Sequence, residues 1–139
     1  MPELNVTMEG ISFLPISSIY IALNALIMLG LAYLVVAARQ ANFKADGKLE
    51  APRDNRIRAH ANNTEYVPMA LLMLVALEFQ GAEAWLLHGL GIVLTISRVM
   101  HGYGRGSGDG ANFGRFYGTL GTWIMFVVAA LALLWYVIF

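Results

Sequence analysis

Residues 56–78 read RIRAHANNTEYVPMALLMLVALE, so strongly hydrated side chains pass directly into a continuous apolar segment. An ionised group at the depth of a bilayer is costly unless it faces protein, water or a ligand. What this polar stretch does therefore depends first on whether the apolar segment that follows it crosses a membrane.

The composition of the chain indicates that it does. Of the 139 residues, 58% are hydrophobic and only 13% are charged, whereas soluble domains contain about a quarter of charged residues. Four apolar segments are visible, at about 13–38, 57–79, 84–101 and 116–139. The first and last have the roughly 20 apolar residues that a membrane-spanning helix needs, and the middle two require a bundle that hides their polar ends. The sequence predicts an all-α fold in which residues 1–139 form one integral membrane four-helix bundle.

Several classes of site and partner are disfavoured. The chain has no cysteine, so a disulfide, a thiolate nucleophile of its own and a zinc–thiolate site are excluded. Three histidines without clustered carboxylates argue against a metal, and the zero net charge gives no indication of nucleic acid. The N-terminal MPELNVTMEG has no basic residue, so the first apolar segment is predicted to be a retained span and not a secretory signal peptide.

The basic residues predict the orientation in the membrane. All nine occur between or at the ends of spans one and two, or of spans three and four, and they are Arg39, Lys44, Lys48, Arg53, Arg56, Arg58, Arg98, Arg105 and Arg115. Lysine and arginine mark the cytoplasmic side of membrane proteins. We therefore expect a multi-pass protein of the inner membrane whose termini both lie outside the cytoplasm and whose polar site faces the cytoplasm.

Two segments between the spans are predicted to be irregular. Residues 39–55 are polar and contain Gly47 and Pro52, which predicts a surface loop. Residues 101–114 contain six glycines. Glycine favours turns but costs order, so the segment from 102 to 114 is either a flexible hinge between spans or a loop that closes over a ligand.

Polar residues at helical spacing form stripes on three of the predicted helices. At about 100° per residue, Arg58, Asn62 and Glu65 share one face, Tyr66 lies at its edge and His60 points nearly opposite. Similar stripes on spans three and four comprise Arg98, His101 and Arg105, and Arg115, Thr119 and Thr122.

Together these stripes suit a zwitterionic ligand with more than one carboxylate, because arginine binds carboxylates in a bidentate way and a glutamate accepts from an ammonium group. A neighbouring arginine would also favour the thiolate form of a thiol. The alternative, equally supported by the residues alone, is that Arg58, Glu65 and Arg98 pair with one another and fasten the bundle.

Residues 58–68, RAHANNTEYVP, resemble the RAxxNxxE(N/Y)xP signature of the MAPEG family, the membrane-associated proteins of eicosanoid and glutathione metabolism. The motif is similar to that of microsomal glutathione transferases and leukotriene C synthase, and the whole chain most resembles the small bacterial members. The resemblance implies a homotrimer of four-helix bundles that binds glutathione between neighbouring subunits on the cytoplasmic side.

The resemblance also implies roles for single residues. Arg115 resembles the arginine that stabilises the thiolate in leukotriene C synthase and is the predicted catalytic residue. His101 stands where that enzyme has a tyrosine, and His60 is expected to serve a neighbouring subunit. The predicted glutathione-binding residues are Arg39, Arg58, His60, Asn62, Glu65, Tyr66, Arg98 and His101.

The implied activity is that of a glutathione transferase or peroxidase acting on apolar electrophiles or lipid hydroperoxides. The second substrate would arrive from the lipid, between helices one and four. One alternative is a non-catalytic membrane scaffold or partner subunit. A small multidrug exporter is disfavoured, because the first span has no acidic residue and Glu65 is surrounded by arginines.

Overall fold

The computed structural model describes residues 14–106 and 112–139, and almost all of them belong to four long α-helices. The helices are α1, Pro15–Lys44; α2, Glu50–Phe79; α3, Ala84–Gly106; and α4, Phe113–Ile138. The predicted all-α four-helix fold is confirmed. Residue 13, where the first predicted span begins, and residues 107–111 of the glycine-rich segment lie outside the described residues.

Three of the described helices, α1, α3 and α4, are long and apolar enough to cross a membrane. α2 is as long as α1, at 30 residues, but charged side chains are concentrated in its first half. Large apolar side chains such as Leu29, Leu72 and Leu131 are at least 60% exposed on the outside of the bundle. An outer surface of this kind suits lipid and would be an aggregation hazard in water.

The prediction of a surface loop over residues 39–55 was wrong for most of that segment. α1 continues to Lys44 and α2 begins at Glu50, so only five residues connect them. The polar residues here are mostly good helix formers, and Pro52 lies in the first turn of α2, where a missing N–H is tolerated. Gly47, at φ +80°, makes the turn, and the side chain of Asn42 accepts a hydrogen bond from the backbone of Leu49 at 2.8 Å.

The glycine-rich segment 101–114 is also more helical than predicted, because α3 extends to Gly106 and α4 begins at Phe113. Asn112 caps α4 by accepting a hydrogen bond from the backbone N–H of Arg115 at 3.0 Å. Its side-chain amide also donates to the carbonyl of Gly104, which ties the start of α4 to the end of α3. Whether this segment is a flexible hinge or a loop that closes over a ligand depends on residues 107–111, which lie outside the described residues. Both alternatives therefore stay predictions.

α2 and α3 form the centre of the bundle. α2 packs against the other three helices, α3 does the same, and α1 and α4 do not contact each other within the described residues. The core contains Ala70, Leu74 and Leu77 of α2 together with Leu87 and Leu94 of α3. α1 and α4 therefore lie on opposite sides of a central pair.

Glycines allow α3 and α4 to approach closely at the end of the bundle that carries the arginines. A Cβ atom on Gly118 would lie 2.6 Å from the backbone nitrogen of His101 and from the carbonyl oxygen of Ser97. A Cβ on Gly114 would lie 2.7 Å from the carbonyl oxygen of Met100. Gly114 and Gly118 have the GxxxG spacing that permits such contacts between membrane helices.

The opposite end of the bundle is fastened by a polar network that joins α1 to α2 and α3. The backbone N–H groups of Ile16 and Ser17 donate to the carboxylate of Glu78 at 2.9 and 2.7 Å, so an acid from α2 caps the start of α1. The hydroxyl of Tyr20 is 2.9 Å from Nδ1 of His88 in α3. His88 thus helps to join α3 to α1.

Replacing Gly118 with alanine should destabilise the protein by about 1–3 kcal/mol, because the new methyl group overlaps backbone atoms that cannot move independently. The matched control is Gly89→Ala in α3, where a Cβ atom meets nothing within 4 Å. That change should be neutral or slightly stabilising, since alanine is the better helix former. Thermal unfolding of the detergent-solubilised variants measures both effects, and equal melting temperatures for the two would contradict the close packing of α3 and α4.

Candidate functional site

The polar stripes of α2, α3 and α4 meet in one cavity of about 510 Å³. Six of the predicted site residues line it, and the complete lining is Arg58, Ala61, Asn62, Glu65, Tyr66, His101, Arg105, Arg115, Thr119 and Trp123. We call this space the polar cavity. Its volume falls within the range of about 300–1,000 Å³ that is typical of small-molecule sites.

A second cavity, of about 430 Å³, adjoins the polar cavity and shares Arg58, Arg105 and Arg115 with it. Asp54 and Asn55 complete its polar lining. These two residues lie in the first turns of α2, beyond the apolar part of the helix. The polar cavity therefore continues toward the end of the bundle where the helices carry their charged residues.

Several charged groups of the polar cavity face open space. Arg58 and Glu65 are exposed, and within the described residues their side chains make no hydrogen bond or ion pair, nor does the guanidinium of Arg115. The ion pair found among the described residues joins Arg53 to Asp54 at 2.9 Å, outside this cavity. Arg58 and Glu65 are two helical turns apart, about 10 Å along the axis, so they do not neutralise each other.

Arg98 lies behind the lining of the polar cavity and is only 2% exposed. Its guanidinium donates to the side-chain oxygen of Asn62 at 2.9 Å, to the hydroxyl of Thr122 at 2.7 Å and to the carbonyl of Gly118 at 3.3 Å. It also lies over the ring of Tyr66, 5.7 Å from the ring centroid. In the free chain Arg98 fixes two residues of the lining, Asn62 and Tyr66, and joins α2, α3 and α4.

The structure does not bring Arg39 and His60 to the polar cavity of the same chain. Arg39 lines a separate cavity of about 600 Å³ between α1 and α2, together with Arg53 and Ile57. His60 is absent from the lining of the polar cavity. It follows Arg53 and Ile57 at helical spacing, on the face of α2 that is turned toward α1.

Four residues of the lining were not predicted as site residues: Ala61, Arg105, Thr119 and Trp123. Arg105 follows His101 by one turn of α3, and that spacing is the signal that could have identified it. The indole N–H of Trp123 donates to the hydroxyl of Tyr66 at 3.2 Å. The position of Trp123, eight residues after Arg115, continues the polar stripe of α4.

An apolar groove of about 300 Å³ lies beside the polar cavity on α4. Phe116 and Leu120 line only the groove, whereas Arg115, Thr119 and Trp123 line both spaces. Arg115 consequently stands at the junction between a charged cavity and an apolar surface. Within the described residues α1 and α4 do not contact each other, so the entry between helices one and four stays a prediction.

Comparison with known proteins agrees with this architecture. Residues 17–135 match the sequence profile of the MAPEG family. The chain belongs to the MAPEG family. Two curated relatives, each called inner membrane protein YecN, come from Escherichia coli strain K12 and from strain O6:H1 CFT073. Each is 34% identical over 131 residues, which cover 87% of this chain and 92% of the relative. No solved structure gives a significant match.

The family membership confirms the resemblance found in the sequence and makes this chain a MAPEG membrane protein. The profile begins within α1 and ends within α4, so it includes all four helices. It also includes every residue that lines the polar cavity.

Arg98 and Arg58 provide a matched pair for separating bundle stability from ligand contact. Arg98→Lys keeps the charge but cannot reproduce the guanidinium fork, so it should cost about 1–3 kcal/mol through the loss of hydrogen bonds to Asn62 and Thr122. Arg58→Lys should leave stability unchanged, because the Arg58 side chain is exposed and makes no hydrogen bond within the described residues. Thermal unfolding without ligand measures both, and an Arg98→Lys variant as stable as Arg58→Lys would contradict the network.

Proposed function

We propose that the polar cavity binds glutathione, and that the protein is a glutathione transferase or peroxidase that acts on apolar electrophiles or lipid hydroperoxides. One observation carries the proposal. Arg58, Arg105, Arg115 and Glu65 line a single cavity, and Arg115 is shared with an apolar groove, in a chain of the MAPEG family.

The charges of the polar cavity complement those of glutathione. The tripeptide has two carboxylates, one ammonium group and one thiol, and the cavity offers three guanidinium groups and one carboxylate. Arginines bind carboxylates through two parallel hydrogen bonds, and Glu65 would accept from the ammonium group.

Arg115 is the residue that we assign to the thiol. A nearby positive charge lowers the pKa of a thiol, and the thiolate is the reactive nucleophile. In conjugation, the sulfur would form a bond to an electrophilic carbon while the electron pair of the broken bond leaves with the displaced group. In hydroperoxide reduction, the thiolate sulfur would form a bond to the terminal oxygen while the O–O bond breaks. The alkoxide that leaves would take up a proton from water and become the alcohol. A second glutathione would then convert the sulfenic acid formed on the first into the disulfide and water.

The apolar groove on α4 is the site that we assign to the second substrate. Phe116 and Leu120 are exposed, at 60% and 38%, so an apolar compound dissolved in lipid can reach the groove directly. Arg115 and Thr119 border both spaces. Holding both reactants beside one cation would contribute proximity and electrostatic stabilisation to the reaction.

A homotrimer would bring Arg39 and His60 to the site from a neighbouring subunit. Both belong to the α1–α2 side of the chain, whereas the polar cavity opens on the α2–α4 side. Contact between these two sides in adjacent subunits would add the predicted contacts that one chain lacks. It would also create an α1–α4 junction, through which the second substrate was predicted to enter.

The orientation that we propose has both termini outside the cytoplasm. The arginines of the polar cavity lie at the end of the bundle that contains the α1–α2 turn, the end of α3 and the start of α4. Because basic residues mark the cytoplasmic side, this end would face the cytoplasm. Glutathione would then reach the cavity from that side of the inner membrane.

Calorimetry of the detergent-purified protein tests glutathione binding. We expect wild type to bind glutathione with millimolar affinity or better. Arg58→Ala and Glu65→Ala should each weaken binding by about tenfold or more, as expected for the loss of a hydrogen bond to a charged group. Arg53→Ala is the matched control, because this arginine is on the same helix, pairs with Asp54 and lies outside the polar cavity.

Two results would contradict the proposal. Absence of binding by folded wild-type protein would favour the non-catalytic scaffold. Weakening by Arg53→Ala as strong as that by Arg58→Ala would assign the arginine effect to the general charge of α2 and not to the polar cavity.

A further inference from the structure

A groove of about 430 Å³ lies on the outside of the bundle between α1 and α3, separate from the polar cavity. Its walls are mostly apolar and include Ile27, Leu31 and Leu34 of α1 and Val99 of α3. The charged residues in its lining are Arg56 and Arg98, and no acidic residue takes part. We call this space the α1–α3 groove.

Two glycines create the α1–α3 groove. At Gly102 the helices approach closely, and a Cβ atom there would lie 3.0 Å from Cδ2 of Leu31. At Gly30 a Cβ atom would meet nothing within 4 Å, so the missing side chain leaves a trough open to the surroundings. From Ile27 to Leu34 the trough follows α1 for about 10 Å at 1.5 Å per residue, parallel to the helix axes.

The α1–α3 groove opens toward the surface that the bundle presents to lipid. Tyr33 and Tyr103, which line it, are 71% and 77% exposed, and Val99 is 53% exposed. An acyl chain of a lipid is apolar and narrow enough to fit this trough. In a bilayer an acyl chain also extends roughly parallel to the membrane-spanning helices. Burial of acyl-chain methylene groups against Ile27, Leu31 and Val99 would be favourable wherever the chain fits more closely than among other lipids.

The polar end of the groove carries a positive charge. The guanidinium of Arg56 lies against Gly106 at the end of α3, and within the described residues it has no acidic partner. Arg98 lies eight residues before Gly106, about 12 Å deeper along α3. Its Nε has no hydrogen-bond acceptor among the described residues. The groove therefore has one positive charge at the end marked by Gly106 and a second deeper along α3.

We propose that the α1–α3 groove is a binding site for an anionic phospholipid, whose phosphate pairs with Arg56 and whose acyl chain lies over Gly30 and Gly102. Basic pockets between membrane helices on the cytoplasmic side recognise anionic headgroups in this way. The site is independent of the polar cavity, because Arg56, Gly30 and Gly102 do not line that cavity. It requires no glutathione.

Native mass spectrometry of the full-length protein tests this site. The protein would be titrated in detergent with dioleoyl phosphatidylglycerol and, separately, with dioleoyl phosphatidylcholine. We expect wild type to retain the anionic lipid preferentially. Gly30→Leu should abolish that preference by filling the trough, whereas Gly89→Leu should keep it, because both glycines have open space at Cβ but only Gly30 lines the groove.

The charge is tested by a second matched pair. Arg56→Gln should lower the affinity for the anionic lipid about fivefold, which is the loss expected for one basic group near an anionic lipid surface. Arg53→Gln should have little effect, since Arg53 pairs with Asp54 and does not line the groove. Circular dichroism would establish that all four variants are folded.

Three results would overturn the proposal. The first is equal retention of the two lipids by wild type. The second is undiminished retention of the anionic lipid by Gly30→Leu or Arg56→Gln. The third is a change of oligomeric state in Gly30→Leu with lipid retention unaltered, which would assign the groove to a second copy of the chain.

Discussion

Among the described residues, Arg98 is the only Lys, Arg, Asp or Glu whose side chain is fully buried. The arrangement of α2, α3 and α4 follows from the need to provide hydrogen-bond acceptors for its guanidinium. A charge at the centre of a membrane helix costs about 2.5–3.5 kcal/mol on insertion scales. Hydrogen bonds to a charged group contribute about 1.5–3 kcal/mol each, so two or three of them offset the cost. Asn62, Thr122 and the Gly118 carbonyl supply them.

The same interaction explains why α4 must approach α3 so closely. Two of the three acceptors of Arg98 belong to α4, and one of them is the backbone carbonyl of Gly118. A side chain at this position would collide with the backbone of α3. The close contact between α3 and α4 at Gly118 brings Arg115 and Thr119 of α4 to the polar cavity. There they lie across from Arg58 and Glu65 of α2. The buried guanidinium of Arg98 thus fixes one wall of the polar cavity, in front of which Arg58 and Arg115 line the open space.

The division between buried and exposed charge was only partly predictable from the sequence. Helical periodicity correctly placed Arg58, Asn62, Glu65 and Tyr66 on one face, because spacing along a helix fixes the face. The family resemblance predicted Arg98 as a glutathione contact, and in the single chain it is buried behind the residues that line the polar cavity. The end of α2 at Phe79 and the start of α3 at Ala84 were predicted, whereas the end of α1 was missed because the polar segment around Lys44 is hydrophilic and yet has good helix propensity.

The packing of the helices against one another could not be predicted from the sequence, for a different reason. The position of Arg39, away from the polar cavity, depends on how α1 packs against α2, whereas helical spacing alone predicted that His60 points away from the stripe of Arg58. The hydrogen bond between Trp123 and Tyr66 likewise depends on the crossing of α2 and α4, and a tryptophan in an apolar segment gives no sign of it. The four helices and their polar stripes could be predicted, whereas their mutual packing could not.

The central claim is that Arg115 holds the thiol of bound glutathione as a thiolate. Its most direct test is a pH titration of the ultraviolet absorbance of the thiolate in the complex, with Arg115→Ala compared with wild type. The account predicts that the bound thiol of wild type ionises at a lower pH than free glutathione, and that this shift is lost in Arg115→Ala although glutathione still binds. A bound thiol that ionises as readily in Arg115→Ala as in wild type would contradict the account.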